Sequence, residues 1–132
     1  MKCPICQHRD CDEFIVDLYI CNSCSHLFKK VPVENGVTRL DQIHLFQYPV
    51  ETVRSMIKSS GKETTIVFVI PSMNFYTLDL EPSCFYKGRI NHYFNQKSLM
   101  IFVKRAGLTP VTQNNQWDGK VCMTTLYCKV DK

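Results

Sequence analysis

Cys3-Pro4-Ile5-Cys6 and Cys21-Asn22-Ser23-Cys24 stand near the start of the chain with fourteen residues between them. Two thiolates three positions apart on a tight turn can face one ion, and the residues between such pairs can form a hairpin that brings the chain back to it. Zinc favours a tetrahedron of four sulfurs at about 2.3 Å, and a closed four-thiolate site is structural rather than catalytic. The spacing therefore predicts a zinc ribbon over residues 1–30, with Cys3, Cys6, Cys21 and Cys24 holding one Zn2+. A segment this short has too little apolar core to fold alone, so the ion supplies much of its folding free energy. Cys11, between the pairs, reads as a spare thiol, and His8 and His26 read as surface residues flanking the knuckles. Neither pair has the strand–CxxC–helix surroundings of a thioredoxin-like redox site.

Around this segment, the 132 residues with 45% hydrophobic and 21% charged side chains suit one ordinary domain, or a small domain with an attached module. No apolar run is longer than the five residues of Ile66 to Ile70, far too short to cross a bilayer. Because Cys3 follows Met1 and Lys2 directly, no signal peptide is expected before the ribbon. The expected compartment is the reducing cytoplasm, where eight cysteines serve as thiols or metal ligands rather than disulfides. The net charge of +4 is uneven: residues 1–36 carry four Lys/Arg against five Asp/Glu, and residues 37–132 carry twelve against seven. Nucleic-acid binders usually show a denser basic stripe, so this charge permits a polyanionic partner without arguing for one.

A turn-forming connector, Lys29 to Gly36 with Pro32 and Asn35-Gly36, separates the ribbon from the rest. The expected division is a ribbon over 1–30, a linker over 31–37 and an α/β domain over 38–132. A strand is expected over Arg39–Gln47, with Leu40, Ile43, Leu45 and Phe46. Pro49 then opens a helix to about Ser60, with Val50, Val53, Met56 and Ile57 on one stripe and Gly61 as its stop. The β-branched and aromatic run Thr64–Ile70 reads as a strand buried on both faces. After an aromatic loop from Ser72 to Phe94, Asn95 caps a second helix with stripe Leu99, Phe102, Val103 and Ala106, ended by Gly107. Strands over Thr109–Gln113 and Lys120–Val130, joined by a turn at Asp118-Gly119, complete an α/β fold. Its sheet is expected to be small and mostly parallel, about four strands with helices, closed by an antiparallel hairpin whose last strand is interior.

The knuckle Cys3-Pro4-Ile5-Cys6 with the later Tyr19-Ile20-Cys21-Asn22-Ser23-Cys24-Ser25-His26-Leu27-Phe28 resembles the N-terminal zinc-binding segment of certain class I S-adenosylmethionine-dependent methyltransferases, sugar C-methyltransferases among them. Thr64–Ser72 is similar to that family's fifth strand with its Pro-Asn-like turn. Asn91-His92-Tyr93-Phe94-Asn95-Gln96-Lys97-Ser98-Leu99 resembles its His-x-x-Tyr-Phe-Ser/Thr-x-x-Ser-Leu stretch, and Ala106-Gly107-Leu108 its Ala-Gly-Phe ending. The resemblance implies a Rossmann-like core and, at His92, a candidate general base. Yet no GxGxG occurs, and Phe46-Gln47-Tyr48-Pro49 runs straight into the helix where the family has a Glu-His pair. A cofactor cradle needs a glycine turn and an acidic residue after its second strand. What the resemblance implies is thus a truncated scaffold without the first, cofactor-binding strands.

The plain reading of His92 is a loop histidine stacked among Tyr93, Phe94, Phe85 and Tyr86, and a lone base without a partner acid does little chemistry. Cys84, Cys122 and Cys128 read as small buried residues; Cys122 and Cys128 lie six strand positions apart, roughly 20 Å, too far to share an ion. Bases and rings interleave from Cys84 to Phe94 as in single-strand binders, although the resemblance accounts for the rings without nucleic acid. Loss of the first strands would leave the strand near Ile43 with an unpaired apolar edge, open to a protein partner or a second copy. The leading expectation is a non-catalytic zinc-binding structural or interaction subunit of a larger assembly. A methyltransferase fragment completed by another chain is the second reading, and a nucleic-acid or transcription-machinery accessory the third.

Overall fold

Leu18-Tyr19-Ile20-Cys21 alternates side chains between two faces, and Asp17 just before it adopts φ 68°, the left-handed conformation a tight hairpin turn demands. In the computed structural model, which describes residues 2–15, 17–36, 39–72, 90–117 and 122–131, this turn joins β1 (Cys11–Ile15) to β2 (Leu18–Cys21). β3 (Leu27–Lys29) pairs with β2, and β5 (His92–Tyr93) pairs with β3, so one four-stranded antiparallel sheet has the order β1-β2-β3-β5. The expected ribbon is therefore continued by a strand from far along the chain.

A second antiparallel sheet has the order β4-β7-β6, from β4 (Thr65–Ser72), β6 (Leu108–Trp117) and β7 (Cys122–Val130). The last strand is interior, as its apolar residues on both faces suggest. β4 buries Ile66, Phe68 and Ile70 while Val67 and Val69 are half-exposed, so one face of it is covered rather than both.

The mostly parallel α/β expectation is wrong. Every strand pair among the described residues is antiparallel, and there is no parallel, Rossmann-like sheet. The parallel reading required a strand over Arg39–Gln47 crossing through a helix to β4. That segment is instead a 3-10 turn, Ile43–Leu45. A strand would point Ile43 and Phe46 to opposite faces, yet both are buried in the main core, which a tight helical turn allows. The segment crosses the edge of β4, where Val69 N–H donates to the Asp41 carbonyl at 3.0 Å. Ile43 is fully buried and presents no unpaired strand edge to a partner or a second copy.

Pro49 does open a helix, α1 (Pro49–Met56), shorter than expected, with Val50 and Val53 buried and Met56 exposed. Helix α2 (Gln96–Arg105) begins at Asn95 with a capping box: Asn95 Oδ1 accepts Ser98 N–H at 2.8 Å, and Ser98 Oγ accepts Asn95 N–H at 3.0 Å. Gly107 at φ 82° ends it in the left-handed cap conformation.

The linker is held by Asn91, whose side chain is fully buried and fully paired. Its Oδ1 accepts Val33 N–H at 2.8 Å, and its Nδ2 donates to the carbonyls of Val33 (2.8 Å) and Leu45 (3.1 Å). Its backbone N–H donates to His44 C=O and its C=O accepts Lys29 N–H, both at 3.0 Å. One residue thus ties connector, 3-10 turn and β5 together. The main core runs from Cys3, Ile5, Cys21, Cys24 and Phe28 through Phe46, Phe94 and Phe102 to Phe68 and Leu126. The cysteines form one end of that core. Leu18, Leu27 and Tyr93 make a second, smaller cluster on the other face of the first sheet.

Candidate metal centre

The two CxxC segments fold into the same small structure. In each, the N–H two positions after the first cysteine points at its sulfur: Ile5 to Cys3 Sγ at 3.4 Å, Ser23 to Cys21 Sγ at 3.3 Å. In each, the N–H after the second cysteine closes a turn onto the first: Gln7 to Cys3 C=O at 3.0 Å, Ser25 to Cys21 C=O at 2.9 Å. In each, the N–H of the first cysteine donates to the histidine five positions on, Cys3 to His8 C=O at 2.9 Å and Cys21 to His26 C=O at 3.0 Å. Both turns need a left-handed residue, supplied by Gln7 (φ 68°) and Ser25 (φ 62°) rather than by glycine.

The knuckles face each other, and the sulfurs of Cys3, Cys6, Cys21 and Cys24 all lie within 4.8 Å of one another. Among the described residues this is the one such group of potential metal-ligating side chains. Cys3 Sγ and Cys24 Sγ are 3.8 Å apart and Cys6 Sγ and Cys21 Sγ 3.4 Å, close to the edge of about 3.8 Å in a tetrahedron of sulfurs about 2.3 Å from its centre. Four thiolates this close repel one another. The hydrogen bond from Cys24 holds Cys3 down to about 5, while the same bond and burial push Cys24 up, and burial raises Cys6. A dication at the centre replaces this unequal sharing of protons by four equivalent attractions. The donor set and spacing therefore fit a thiophilic metal ion.

Helix α2 lies along the site and grips both knuckles. Near its start, Asn95 Nδ2 donates to Cys24 C=O at 2.9 Å and Lys97 Nζ to Ser23 C=O at 2.8 Å. At its end, the Arg105 guanidinium donates to the carbonyls of Ile5 and Pro4. These clamps carry no spacing signal and are not legible in the sequence.

His26 is not a surface residue. It is fully buried, stacked on His92 with ring centroids 5.3 Å apart and tilted against Phe94 at 4.7 Å. Phe94 and Phe68 each meet Phe102 edge-on at 5.5 Å, so an aromatic column runs from the second knuckle to the second sheet. The polar atoms settle the proton positions. His92 Nε2 meets Gln47 C=O at 3.1 Å, which only a donor can do. With that nitrogen protonated, neutral His92 accepts at Nδ1 from His26 Nε2–H at 3.1 Å. His26 Nδ1 then accepts from Ser98 Oγ–H at 3.0 Å. Burial holds both histidines neutral: His26 falls well below its ordinary value, a proton on it being opposed also by any on His92, and His92 falls to about 4.

His92 is thus neither a loop histidine nor a free base, because both ring nitrogens are engaged inside the core. Of the segment Cys84 to Phe94, residues 84–89 lie outside the described residues, as do Asp118-Gly119 and the side chain of Cys122. His92, Tyr93 and Phe94 are buried, so their rings are not surface platforms for bases. Cys128 is buried as expected. Cys11 sits on β1 directly across from Cys21, half-exposed, and burial with the charges of Cys21 and Cys3 pushes its thiol up to about 12. His8 is exposed, its Nδ1 accepting Asp10 N–H at 3.2 Å. Among the described residues no helix is long and apolar enough to cross a membrane. Set against known protein families, curated proteins and solved structures, the chain finds no match.

Proposed function

We propose that this chain is a non-catalytic zinc-binding module in which Cys3, Cys6, Cys21 and Cys24 hold one structural Zn2+, and that it serves as a structural or interaction subunit of a larger assembly. One observation carries the reading: two knuckles with matching hydrogen bonds converge four sulfurs at the end of the main core. Four thiolates favour zinc over harder cations, and a filled set of four leaves no position for substrate. Because the sulfurs are part of the core, metal binding and folding become one equilibrium. The engaged nitrogens of His92 remove the residue that the methyltransferase resemblance offered for chemistry.

The test is metal analysis of the full chain purified without added metal, followed by chelation. One zinc per chain is expected, and its removal should abolish the cooperative thermal transition. A chain with far less than one equivalent, melting identically before and after chelation, sinks the proposal.

A further inference from the structure

A fifth sulfur stands beside the four. Cys11 and Cys21 are direct cross-strand partners in the β1–β2 hairpin. The neighbouring pair is hydrogen-bonded, Asn22 N–H donating to Asp10 C=O at 2.8 Å, while Cys21 N–H turns the other way to His26. Cys11 and Cys21 therefore occupy a non-hydrogen-bonded position, where facing Cα atoms approach to about 4.5 Å and both side chains share a face. That separation lies inside the range a disulfide spans. The register is locked on both sides of Cys11, because Asn22 Nδ2 donates to Asp10 Oδ1 at 3.0 Å and to Asp12 Oδ2 at 2.9 Å.

We propose that Cys11 and Cys21 are a redox site: a hydroperoxide joins them in a disulfide, and the metal loses the Cys21 ligand. This inference rests on the metal-binding reading above. The half-exposed Cys11 marks where the oxidant enters; the neighbouring Cys21 thiolate attacks the peroxide oxygen, the S–O bond forms as O–O breaks, and the departing oxygen takes the Cys11 thiol proton. The Cys11 thiolate so formed attacks the Cys21 sulfenic sulfur, forming S–S and releasing hydroxide, which takes a proton from solvent. Two sulfurs are oxidised and one hydroperoxide is reduced to its hydroxyl compound and water, two waters where it is hydrogen peroxide. Among the described residues Cys11 is the one sulfur beside the site that is not itself a ligand. A bond between two ligands would strip two thiolates from the ion at once, whereas the Cys11–Cys21 bond removes one and leaves a three-thiolate site that a competing chelator can empty.

The experiment uses the full chain with its zinc content measured first. Excess hydrogen peroxide is added, release is followed with a colour-forming chelator, and disulfides are mapped by tandem mass spectrometry after cleavage at Arg9 and Glu13. The first bond is expected between Cys11 and Cys21, with Cys11→Ser keeping its zinc but releasing it at least about tenfold more slowly under peroxide. Cys11→Ala serves the same purpose should the serine variant fold poorly. Release from these variants at the wild-type rate, or a first bond between two ligands such as Cys6 and Cys21, overturns the proposal. A chain that carries no zinc before oxidation defeats the metal reading and with it the release step, while the peptide map still decides whether Cys11 and Cys21 pair.

Discussion

The two knuckles share a backbone design and differ in what surrounds them. His8 and His26 occupy the same place in each, two positions after the second cysteine with the carbonyl accepting the first cysteine's N–H. His8 is exposed; His26 is buried in an aromatic column and hydrogen-bonded at both ring nitrogens. The second knuckle continues into β3 and is held by Asn95 and Lys97, whereas among the described residues the hydrogen bonds of α2 to the first knuckle come from Arg105. Equal local geometry does not imply equal stability: both knuckles enter the core, the first through Cys3 and Ile5, but the second also carries buried His26 into β3, whereas in the first Cys6 is half-exposed and His8 exposed. Local opening is drawn from regions with few buried contacts, so the first knuckle should open before the second.

The largest expected effects separate the ligands on this basis. Structural zinc sites are worth about 10–16 kcal/mol in small domains, so one thiolate of four accounts for roughly 3 kcal/mol, about a hundredfold in zinc affinity. Cys24→Ser should lose that and also place a polar group in the core, abolishing the cooperative transition seen by circular dichroism. Cys6, half-exposed, should lose the affinity alone, and Cys6→Ser should still melt cooperatively at a lower midpoint. Indistinguishable melting curves for the two variants would break the distinction between knuckles.

The histidines test the same contrast without touching a ligand. His26→Ala leaves a cavity and strands His92 Nδ1, while Ser98 Oγ–H can turn to Asn95 C=O, a loss of about 3 kcal/mol or more in urea unfolding. His8→Ala, at the exposed position, should fall within about 0.5 kcal/mol of wild type. A small effect at His26 would mean that the aromatic column is not holding the second knuckle.

This asymmetry was beyond the reach of the sequence, and the reason is physical. CxxC spacing is a local property, as are Pro49 at a helix start and the Asn95 cap, and the structure places all of them where their chemistry suggests. The burial of His26 depends on β3 pairing with β5, so that His92 arrives beside it from sixty-six positions away. Nothing between Ser25 and Phe28 encodes that meeting. The direction of the second sheet was equally illegible: a β-branched run such as Thr65–Ile70 suits parallel and antiparallel neighbours alike. The parallel reading leaned on a strand near Ile43, and a 3-10 turn bearing the same apolar residues satisfies the core just as well.

Acid should attack from the second-knuckle side. His92 and His44, both held near 4 by burial, refuse in the folded state a proton that the unfolded chain accepts near its ordinary value of 6.5. Their contribution is therefore complete above about pH 6.5 and is lost as pH falls from there towards 4, roughly 3 kcal/mol for His92 over the whole window. His44 adds a buried Nδ1 with no hydrogen-bond partner among the described residues. Replacing it in His44→Gln should flatten the fall by up to about 1.4 kcal/mol per pH unit between 6.5 and 4. Any loss of metal ligation in acid is common to both proteins and cancels in the comparison of urea unfolding at about pH 7.5, above that window, and at about pH 6 and 5, within it. Parallel slopes for variant and wild type would show that His44 is not a source of acid sensitivity.

The smallest effect is the sharpest comparison, because it changes the same backbone feature in both knuckles. Gln7 and Ser25 are exposed and hold left-handed φ values that an L side chain tolerates at a cost of about 1–2 kcal/mol. Glycine removes that strain but loses about 0.5–1 kcal/mol of chain entropy, leaving a net gain near 0.5 kcal/mol at each site. The gain should register in different measurements. Ser25→Gly stabilises a turn that opens only with the core, so it should raise the urea midpoint. Gln7→Gly stabilises the turn that opens first, so it should slow zinc capture by a chelator about twofold while moving the midpoint little. Were both variants to raise the midpoint equally and leave zinc exchange unchanged, the two knuckles would be opening as one unit, and the embedding of His26 would confer no difference in stability between them.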